Sequence, residues 1–282
     1  MPFFRTPEIS LHYEVAGEGP PLCLISGYRQ SSAAWPSEFI SQLATLFRTI
    51  IFDNRGTGLN EKPQDGYEFG QQADDVIRLL DHLRISRTNL LGFSMGGAIA
   101  QEVALRHAER IDRLILFGTF CGGIWARPAS WSVLRRLFDI DGLSAEEAAR
   151  QAWPVTYSPD YLAANVDVVE QQMRRELANP TPAFVSRKQA EALRRFDRYC
   201  DLPRIKAATL VATGTEDILV RPRNSEILAA RIPGARLEML ADLGHRAIWE
   251  APEEMAGLIG DFLVKPGVTT AREREPCGLT RR

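Results

Sequence analysis

The segment Gly92–Gly97, which reads Gly-Phe-Ser-Met-Gly-Gly, constrains the fold more than any other part of the sequence. An apolar run ends at Leu91 just before it, and a helix-forming run begins at Met95 just after it. A strand can turn this abruptly into a helix only if the residues two before and two after Ser94 are small, because larger side chains would collide. The sequence therefore predicts a strand–turn–helix unit, called the elbow below, with the Ser94 hydroxyl at the carboxyl end of a strand.

Short apolar runs alternate with helical patterns on both sides of the elbow. The apolar runs are Leu22–Ile25, Thr49–Phe52, Leu90–Leu91, Leu114–Phe117, Thr209–Ala212 and Arg236–Leu240. The helical patterns cover residues 33–47, 73–83, 95–106, 224–230 and 252–263. This alternation predicts an α/β fold in which helices cover both faces of a parallel sheet. Residues 9–15 alternate between apolar and polar, which predicts an antiparallel strand at the sheet edge.

The strand rhythm stops between residues 119 and 207, where Pro154, Pro159 and Pro180 interrupt a series of helical patterns. It resumes at residue 208. The sequence therefore predicts one core built from residues 1–118 and 208–264, with a helical insertion at 119–207. Residues 265–282 are polar and charged and contain Pro and Gly, which predicts a disordered C-terminal tail.

The composition excludes several classes of protein. With 34 Lys and Arg against 36 Asp and Glu, the net charge of −2 gives no basic surface for general nucleic-acid binding. No apolar run is long enough to predict a membrane span, and the N-terminal residues do not resemble a signal peptide, so we expect a cytoplasmic protein. The cysteines are scattered and are expected to be reduced: Cys23, Cys121, Cys200 and Cys277.

A serine of ordinary pKa needs a neighbouring base to act as a nucleophile. The chain has four histidines: His12, His82, His107 and His245. Only His245 follows a predicted strand in a loop at the carboxyl edge of the sheet, which is where α/β folds carry ligand-binding and catalytic groups. His245 is therefore the candidate base.

The base in turn needs an acid that orients its imidazole ring. Asp217 lies in the loop that follows the apolar run at 209–212, at the same predicted edge of the sheet, and Glu216 is its immediate rival. Asp242 is too close to His245 in sequence to be preferred. The resulting chain order is Ser94, Asp217, His245, which is neither the chymotrypsin nor the subtilisin order.

Residues 8–264 resemble the α/β-hydrolase fold family, in particular its lid-bearing esterases, enol-lactonases and cofactor-free haloperoxidases. Besides the elbow, the resemblance is carried by Gly17–Pro21 before the first parallel strand, by the Asp53–Gly58 loop (D-x-R-G-x-G), by Thr213–Asp217 and by Gly244-His245. It implies a mostly parallel eight-stranded sheet with helices on both faces and a helical lid inserted after the sixth strand. Asp53 and Arg55 are expected to be structural.

The resemblance also implies a nucleophile at Ser94, a base at His245 and an acid at Asp217. The backbone N–H of Met95, at the start of the helix, points where an oxyanion would form. The family usually has His-Gly after its first parallel strand, whereas this chain has Ser26-Gly27. In the family, the backbone N–H of the residue that follows this pair completes the oxyanion hole. The second oxyanion donor is therefore expected to be the backbone N–H of Tyr28.

The insertion is rich in aromatic residues, some of which are expected to line an apolar pocket over Ser94. The candidate pocket residues are Arg29, Phe93, Cys121, Trp125 and Trp153. Arg29, Arg127 and Arg135 could each bind an anionic group, although a solvated surface position is the more frequent state of an arginine. Neither a metal ion nor an organic cofactor is expected.

These features together predict a serine hydrolase that cleaves an ester, lactone or thioester of a small, largely apolar substrate through an acyl-enzyme. Two alternatives remain open. The same residues could hydrolyse a carbon–carbon bond or cyclise a biosynthetic intermediate. A non-catalytic protein could use the pocket only to bind a small molecule. The sequence predicts a small-molecule substrate and leaves open whether the protein is a monomer or a homo-oligomer.

Overall fold

The computed structural model describes residues 2–5 and 9–264. The predicted disordered tail at 265–282, and Cys277 within it, lie outside the described residues.

The strands form one sheet. They are β1 Phe3–Arg5, β2 Ser10–Ala16, β3 Pro21–Ile25, β4 Arg48–Phe52, β5 Thr88–Phe93, β6 Ile111–Phe117, β7 Ala208–Gly214 and β8 Arg236–Leu240.

The strand order in the sheet is β1-β2-β4-β3-β5-β6-β7-β8. From β4 to β8 all neighbouring strands are parallel, and β2 pairs antiparallel with both β1 and β4. The antiparallel strand predicted at residues 9–15 is therefore present, but it does not lie at the edge. The short β1 covers it, with Phe3 opposite His12, and takes up the backbone groups that an edge strand would expose.

The strands of the sheet centre are buried on both faces. In β5, Leu90 packs into the core on one side of the sheet and Leu91 into the core on the other, and Leu116 and Phe117 of β6 divide in the same way. Because successive side chains of a strand point to opposite faces, a strand covered on both sides needs apolar residues at every position. This explains the continuous apolar runs in the sequence.

Helices cover both faces. They are α1 Ser37–Ala44, α2 Phe69–His82, α3 Met95–Arg106, α4 Trp131–Phe138, α5 Ala145–Thr156, α6 Pro159–Ala164, α7 Val166–Glu176, α8 Ala183–Arg195, α9 Arg223–Arg231, α10 Ala247–Glu250 and α11 Pro252–Val264. Buried residues of α2, α3 and α9 belong to one core, and those of α1 and α11 to the other. The single helix expected at 33–47 is shorter, because Pro36 lies in extended backbone at its start and Thr45 ends it.

Helices α4–α8 form the helical insertion between β6 and β7. Its helix α5 begins at a capping box, in which Ser144 and Glu147 satisfy each other's backbone amides. None of the residues of α4 is fully buried, and its Phe138 packs against the Tyr28 ring of the core, with ring centroids 5.2 Å apart. In the part of the chain that is described, no helix has both the length and the apolar character needed to cross a bilayer.

Candidate active site

The elbow holds Ser94 in a backbone conformation that L-residues rarely adopt, with φ 54° and ψ −118°. The Ser94 N–H donates to the Phe117 carbonyl at 2.9 Å, and the Thr119 hydroxyl donates to the Ser94 carbonyl at 2.7 Å. A Cβ on Gly92 would lie 2.7 Å from the Ala100 side chain, and one on Gly96 would overlap the neighbouring β3 backbone. The two glycines are therefore needed for close approach, and the strain at Ser94 is retained because its surroundings fix it.

Ser94, His245 and Asp217 form one hydrogen-bonded chain. The Ser94 Oγ lies 3.1 Å from His245 Nε2, and His245 Nδ1 lies 2.7 Å from Asp217 Oδ2. A carboxylate only accepts hydrogen bonds, so the proton of this contact is assigned to Nδ1, and in the corresponding neutral tautomer Nε2 can accept from the serine hydroxyl. His245 and Asp217 are 4% and 1% exposed, so water competes little for these contacts. The structure thus brings together the three side chains that sequence analysis selected.

Asp217 is held in place by the loop after β7. Its Oδ1 accepts the backbone amides of Leu219 at 3.0 Å and Val220 at 2.7 Å, which leaves Oδ2 directed at the imidazole. Its rival Glu216 is exposed to solvent. A side chain fixed by two amides orients an imidazole better than a solvated one, because it loses no further rotamer freedom.

The residues after β3 form a tight turn from Gly27 to Gln30, in which the Gln30 N–H donates to the Gly27 carbonyl at 3.2 Å. The Gln30 side chain closes the turn by accepting the Gly27 amide at 3.0 Å. Within the described ranges, neither the Tyr28 amide nor the Met95 amide donates a hydrogen bond to a backbone carbonyl. Both predicted oxyanion donors are therefore available to a ligand.

Arg29 has a φ of 62°, a left-handed conformation that costs an L-residue about 1–2 kcal/mol.

Ser94 lies where two cavities meet. The smaller has a volume of about 110 Å³ and contains the charged side chains Arg29, Glu176 and Arg246 besides His245. The larger has a volume of about 750 Å³ and extends under α4 and α8 between mostly apolar walls. Four residues line both cavities: Tyr28, Ser94, Leu137 and Leu219. A ligand with a carbonyl group at Ser94 can thus extend one part into each cavity.

The predicted pocket residues divide into two groups. Arg29, Phe93 and Trp153 line the small cavity. Cys121 and Trp125 line neither of the two cavities at Ser94, so these two predictions are corrected. Cys121 is 1% exposed in the core, where burial raises the pKa of its thiol to about 11. Trp125 instead stacks on Tyr199, with ring centroids 4.4 Å apart.

Asp53 and Arg55 support the loop around them, as the resemblance implies. Asp53 accepts hydrogen bonds from the amide and the hydroxyl of Ser32, both at 2.7 Å. Arg55 forms a two-bond ion pair with the buried Asp75, at 2.9 and 2.8 Å. Neither residue lines a cavity at Ser94.

Sequence analysis missed the side chains that attach the helical insertion to the His245 loop. Arg246 forms a two-bond ion pair with Glu176 of α7, at 2.8 and 3.0 Å, and donates to the Tyr157 hydroxyl at 2.9 Å. Glu250 accepts hydrogen bonds from Ser158 of the insertion. The position of Arg246 directly after His245 was the only signal in the sequence, and nothing in it indicated Glu176 as the partner.

The fold is that of an α/β-hydrolase. A family model described as the alpha/beta hydrolase fold matches residues 20–252, so the chain belongs to this family. The protein is an enzyme, a hydrolase of the α/β type.

Individual relatives agree with this assignment. The RutD protein of Caulobacter sp. (strain K31), which is named as a carbamate hydrolase, is 29% identical over 90% of this chain and 95% of its own. The 2-hydroxymuconate semialdehyde hydrolase of Pseudomonas sp. (strain CF600) is 31% identical over 89% of both chains. Among solved structures, the enol-lactonase from Burkholderia xenovorans LB400 superposes with a TM-score of 0.82 at 28% identity, over 94% of this chain and 100% of its own.

Proposed function

We propose that the protein is a serine hydrolase that cleaves an ester, lactone or thioester of a small, largely apolar substrate through an acyl-enzyme. The observation that carries the proposal is the hydrogen-bonded chain from Ser94 through His245 to Asp217, with the strained Ser94 at the junction of two cavities. The nucleophile lies within hydrogen-bond distance of the base, and the base lies within hydrogen-bond distance of the orienting acid, as nucleophilic catalysis requires.

In the mechanism, Ser94 Oγ attacks the substrate carbonyl while His245 Nε2 takes its proton. Asp217 holds the imidazole in the required tautomer and stabilises the imidazolium that forms. The amides of Tyr28 and Met95 donate to the developing oxyanion, and each such donor contributes about 3 kcal/mol in well-studied enzymes. The imidazolium then protonates the leaving group, and a water molecule, deprotonated by His245, attacks the acyl-enzyme and releases the acid.

The helical insertion acts as the lid of this site. Its residue Trp153 lines the small cavity, and α4 and α8 lie over the large one. Such a cover excludes water from the reacting groups and so strengthens the electrostatic interactions among them. The reaction takes place in the cytoplasm on a free small molecule.

A second candidate function is hydrolysis of a carbon–carbon bond by the same three residues. The 31% identity to a 2-hydroxymuconate semialdehyde hydrolase supports this second function. The similarity to RutD supports a carbamate as a further kind of substrate. In the carbon–carbon reaction, a carbanion rather than an alkoxide leaves, so the substrate needs a group such as a β-diketone that stabilises it.

The deciding experiment combines labelling with a panel of substrates. A fluorophosphonate probe labels the protein at Ser94, and Ser94→Ala abolishes both labelling and the hydrolysis of short and medium 4-nitrophenyl esters. Full activity in Ser94→Ala would contradict the serine mechanism. Failure on every ester together with turnover of a β-diketone would select carbon–carbon hydrolysis. Absence of labelling would select a protein that only binds its small molecule.

A further inference from the structure

The small cavity beside Ser94 holds an unbalanced positive charge. Of its three charged side chains, Glu176 and Arg246 neutralise each other through the ion pair described above. The Arg29 guanidinium has no carboxylate oxygen within 4.0 Å among residues 2–5 and 9–264. The neighbouring Tyr28 does not compensate for it, because burial raises the pKa of this phenol to about 12 and keeps it neutral.

Arg29 is also partly withdrawn from water. Its side chain is half-buried in the wall of the cavity, and this burial lowers the pKa of the guanidinium. The group nevertheless remains a cation at any physiological pH, because its ordinary pKa lies far higher. Glu176 is the carboxylate that acts on Arg29 electrostatically, but both of its oxygens already accept hydrogen bonds from Arg246. A partly desolvated cation without a hydrogen-bonded carboxylate of its own is unfavourable, and a substrate carboxylate would relieve this by accepting two parallel N–H bonds from the planar guanidinium.

The backbone at Arg29 supports a role for its side chain. Arg29 occupies the third position of the Gly27–Gln30 turn with positive φ, where glycine or asparagine is usual. Two side chains of the helical insertion hold it there. Gln189 accepts the Arg29 amide at 3.0 Å, and the Thr181 hydroxyl donates to the Arg29 carbonyl at 2.9 Å. Arg29 is thus a strained residue that is fixed from both sides and lines the same small cavity as the nucleophile, which points to a role of its side chain in the site.

We propose that the small cavity is an anion subsite in which Arg29 binds a carboxylate group of the substrate, while the remainder of the substrate, which is apolar, fills the large cavity. The substrate class is therefore a monoanionic ester, such as a half-ester of a dicarboxylic acid or an ester of a hydroxy acid. This inference rests on the proposed function of Ser94 only for the hydrolysis step, because carboxylate binding can be measured separately.

The experiment compares each anionic ester with a neutral ester of the same shape. 4-Nitrophenyl hydrogen glutarate is paired with 4-nitrophenyl 5-methylhexanoate, and 4-acetoxybenzoate with 4-isopropylphenyl acetate, after subtraction of the uncatalysed rates. The first pair carries the charge on the acyl part and the second on the alcohol part. We expect the wild type to prefer the anionic member of one pair, which also shows which part of the substrate enters the small cavity.

Arg29→Asn removes the charge with a residue that tolerates positive φ. It should lower the ratio of kcat/KM for the anionic over the neutral ester by about tenfold or more, mainly through KM, as expected for loss of a charged hydrogen bond. Arg29→Lys should retain part of the preference. The matched control is Arg84→Asn, because Arg84 is exposed and also has positive φ, at 56°. The proposal would be overturned if the wild type preferred the neutral ester in both pairs. It would also be overturned if Arg29→Asn lowered kcat/KM equally for the anionic and the neutral member of a pair.

A binding measurement separates this proposal from the hydrolase mechanism. Butyrate, but not butyramide, should raise the melting temperature of Ser94→Ala, and Arg29→Asn in that background should remove the effect. If no ester is hydrolysed but this stabilisation is seen, the hydrolase proposal fails and the anion subsite stands. If esters are hydrolysed but butyrate does not stabilise the protein, the subsite proposal fails.

Discussion

Glu250 accepts two hydrogen bonds from Ser158, one from its amide at 3.0 Å and one from its hydroxyl at 2.6 Å. The same carboxylate accepts the amide of Gly244, the residue before His245, at 3.2 Å. One side chain therefore joins the start of α6 in the helical insertion to the loop that carries the base. Through it, the position of the insertion and the position of the imidazole depend on each other.

Glu250→Ala tests this connection. Removal of the carboxylate leaves two amides and a hydroxyl without their acceptor, a loss of about 1.5–3 kcal/mol for hydrogen bonds to a charged group. We expect a 10- to 100-fold fall in kcat, about the cost of a small displacement of catalytic groups. Proteolysis within the insertion should also become faster. The control is Glu253→Ala on the exposed side of α11. Unchanged kcat and proteolysis in Glu250→Ala would show that the insertion is held independently.

Replacement of Asp217 by Asn tests which carboxylate orients the base. The amide oxygen of Asn can still accept the backbone amides of the loop, but its NH₂ group favours the wrong imidazole tautomer, so kcat should fall about 10⁴-fold. The matched variant Glu216→Gln changes the neighbouring exposed carboxylate in the same way and should retain wild-type kcat. Steady-state kinetics on a 4-nitrophenyl ester measures both. Comparable losses in the two variants would contradict the assignment.

The strain at Ser94 predicts a trade-off between activity and stability. Glycine adopts the φ of 54° and ψ of −118° without steric cost, whereas alanine does not. Ser94→Gly should therefore be more stable than Ser94→Ala by about 1 kcal/mol, although both lack the nucleophile. Urea unfolding of the two variants measures the difference. A less stable Ser94→Gly would indicate that the elbow is relaxed.

The buried ion pair of Arg55 and Asp75 predicts a non-additive effect on stability. Burial raises the pKa of Asp75, so this carboxylate is ionised at a cost that Arg55 offsets. Arg55→Met alone leaves the buried carboxylate only its longer contact with Arg78, at 3.6 Å, and should cost about 3 kcal/mol. The double variant Arg55→Met/Asp75→Leu should cost less, because no buried charge remains. Thermal unfolding of the wild type, Arg55→Met, Asp75→Leu and the double variant completes the double-mutant cycle. Losses of stability that simply add in the double variant would contradict this explanation.

The core of the fold was predictable because its signals are local. The apolar runs at residues 22–25 and 114–117 are long enough to identify strands buried on both faces, and β3 and β6 include them. The elbow was predictable for the same reason, since the glycines around Ser94 relieve crowding within a few residues. The prediction of an edge strand at 9–15 failed because three residues, Phe3–Arg5, carry too little pattern to indicate β1.

The surroundings of Ser94 were only partly predictable. Trp153 and Trp125 both belong to the aromatic insertion, yet Trp153 lines the small cavity and Trp125 stacks on Tyr199. Cys121 follows β6 near the active edge, but it turns into the core. Helical spacing shows that such a side chain is buried, but not whether its neighbours leave a cavity beside it.

The sequence by itself determined the α/β fold and the insertion after β6, and it selected Ser94, Asp217 and His245 as the candidate catalytic residues, because turn geometry and the order of motifs are properties of short segments. Only the tertiary structure decided what surrounds these residues. The amide of Arg29 meets Gln189, which lies 160 residues further along the chain, and Arg246 meets Glu176 across 70 residues. Contacts of this kind depend on how the helical insertion packs onto the sheet, and that packing leaves no periodic pattern in the sequence.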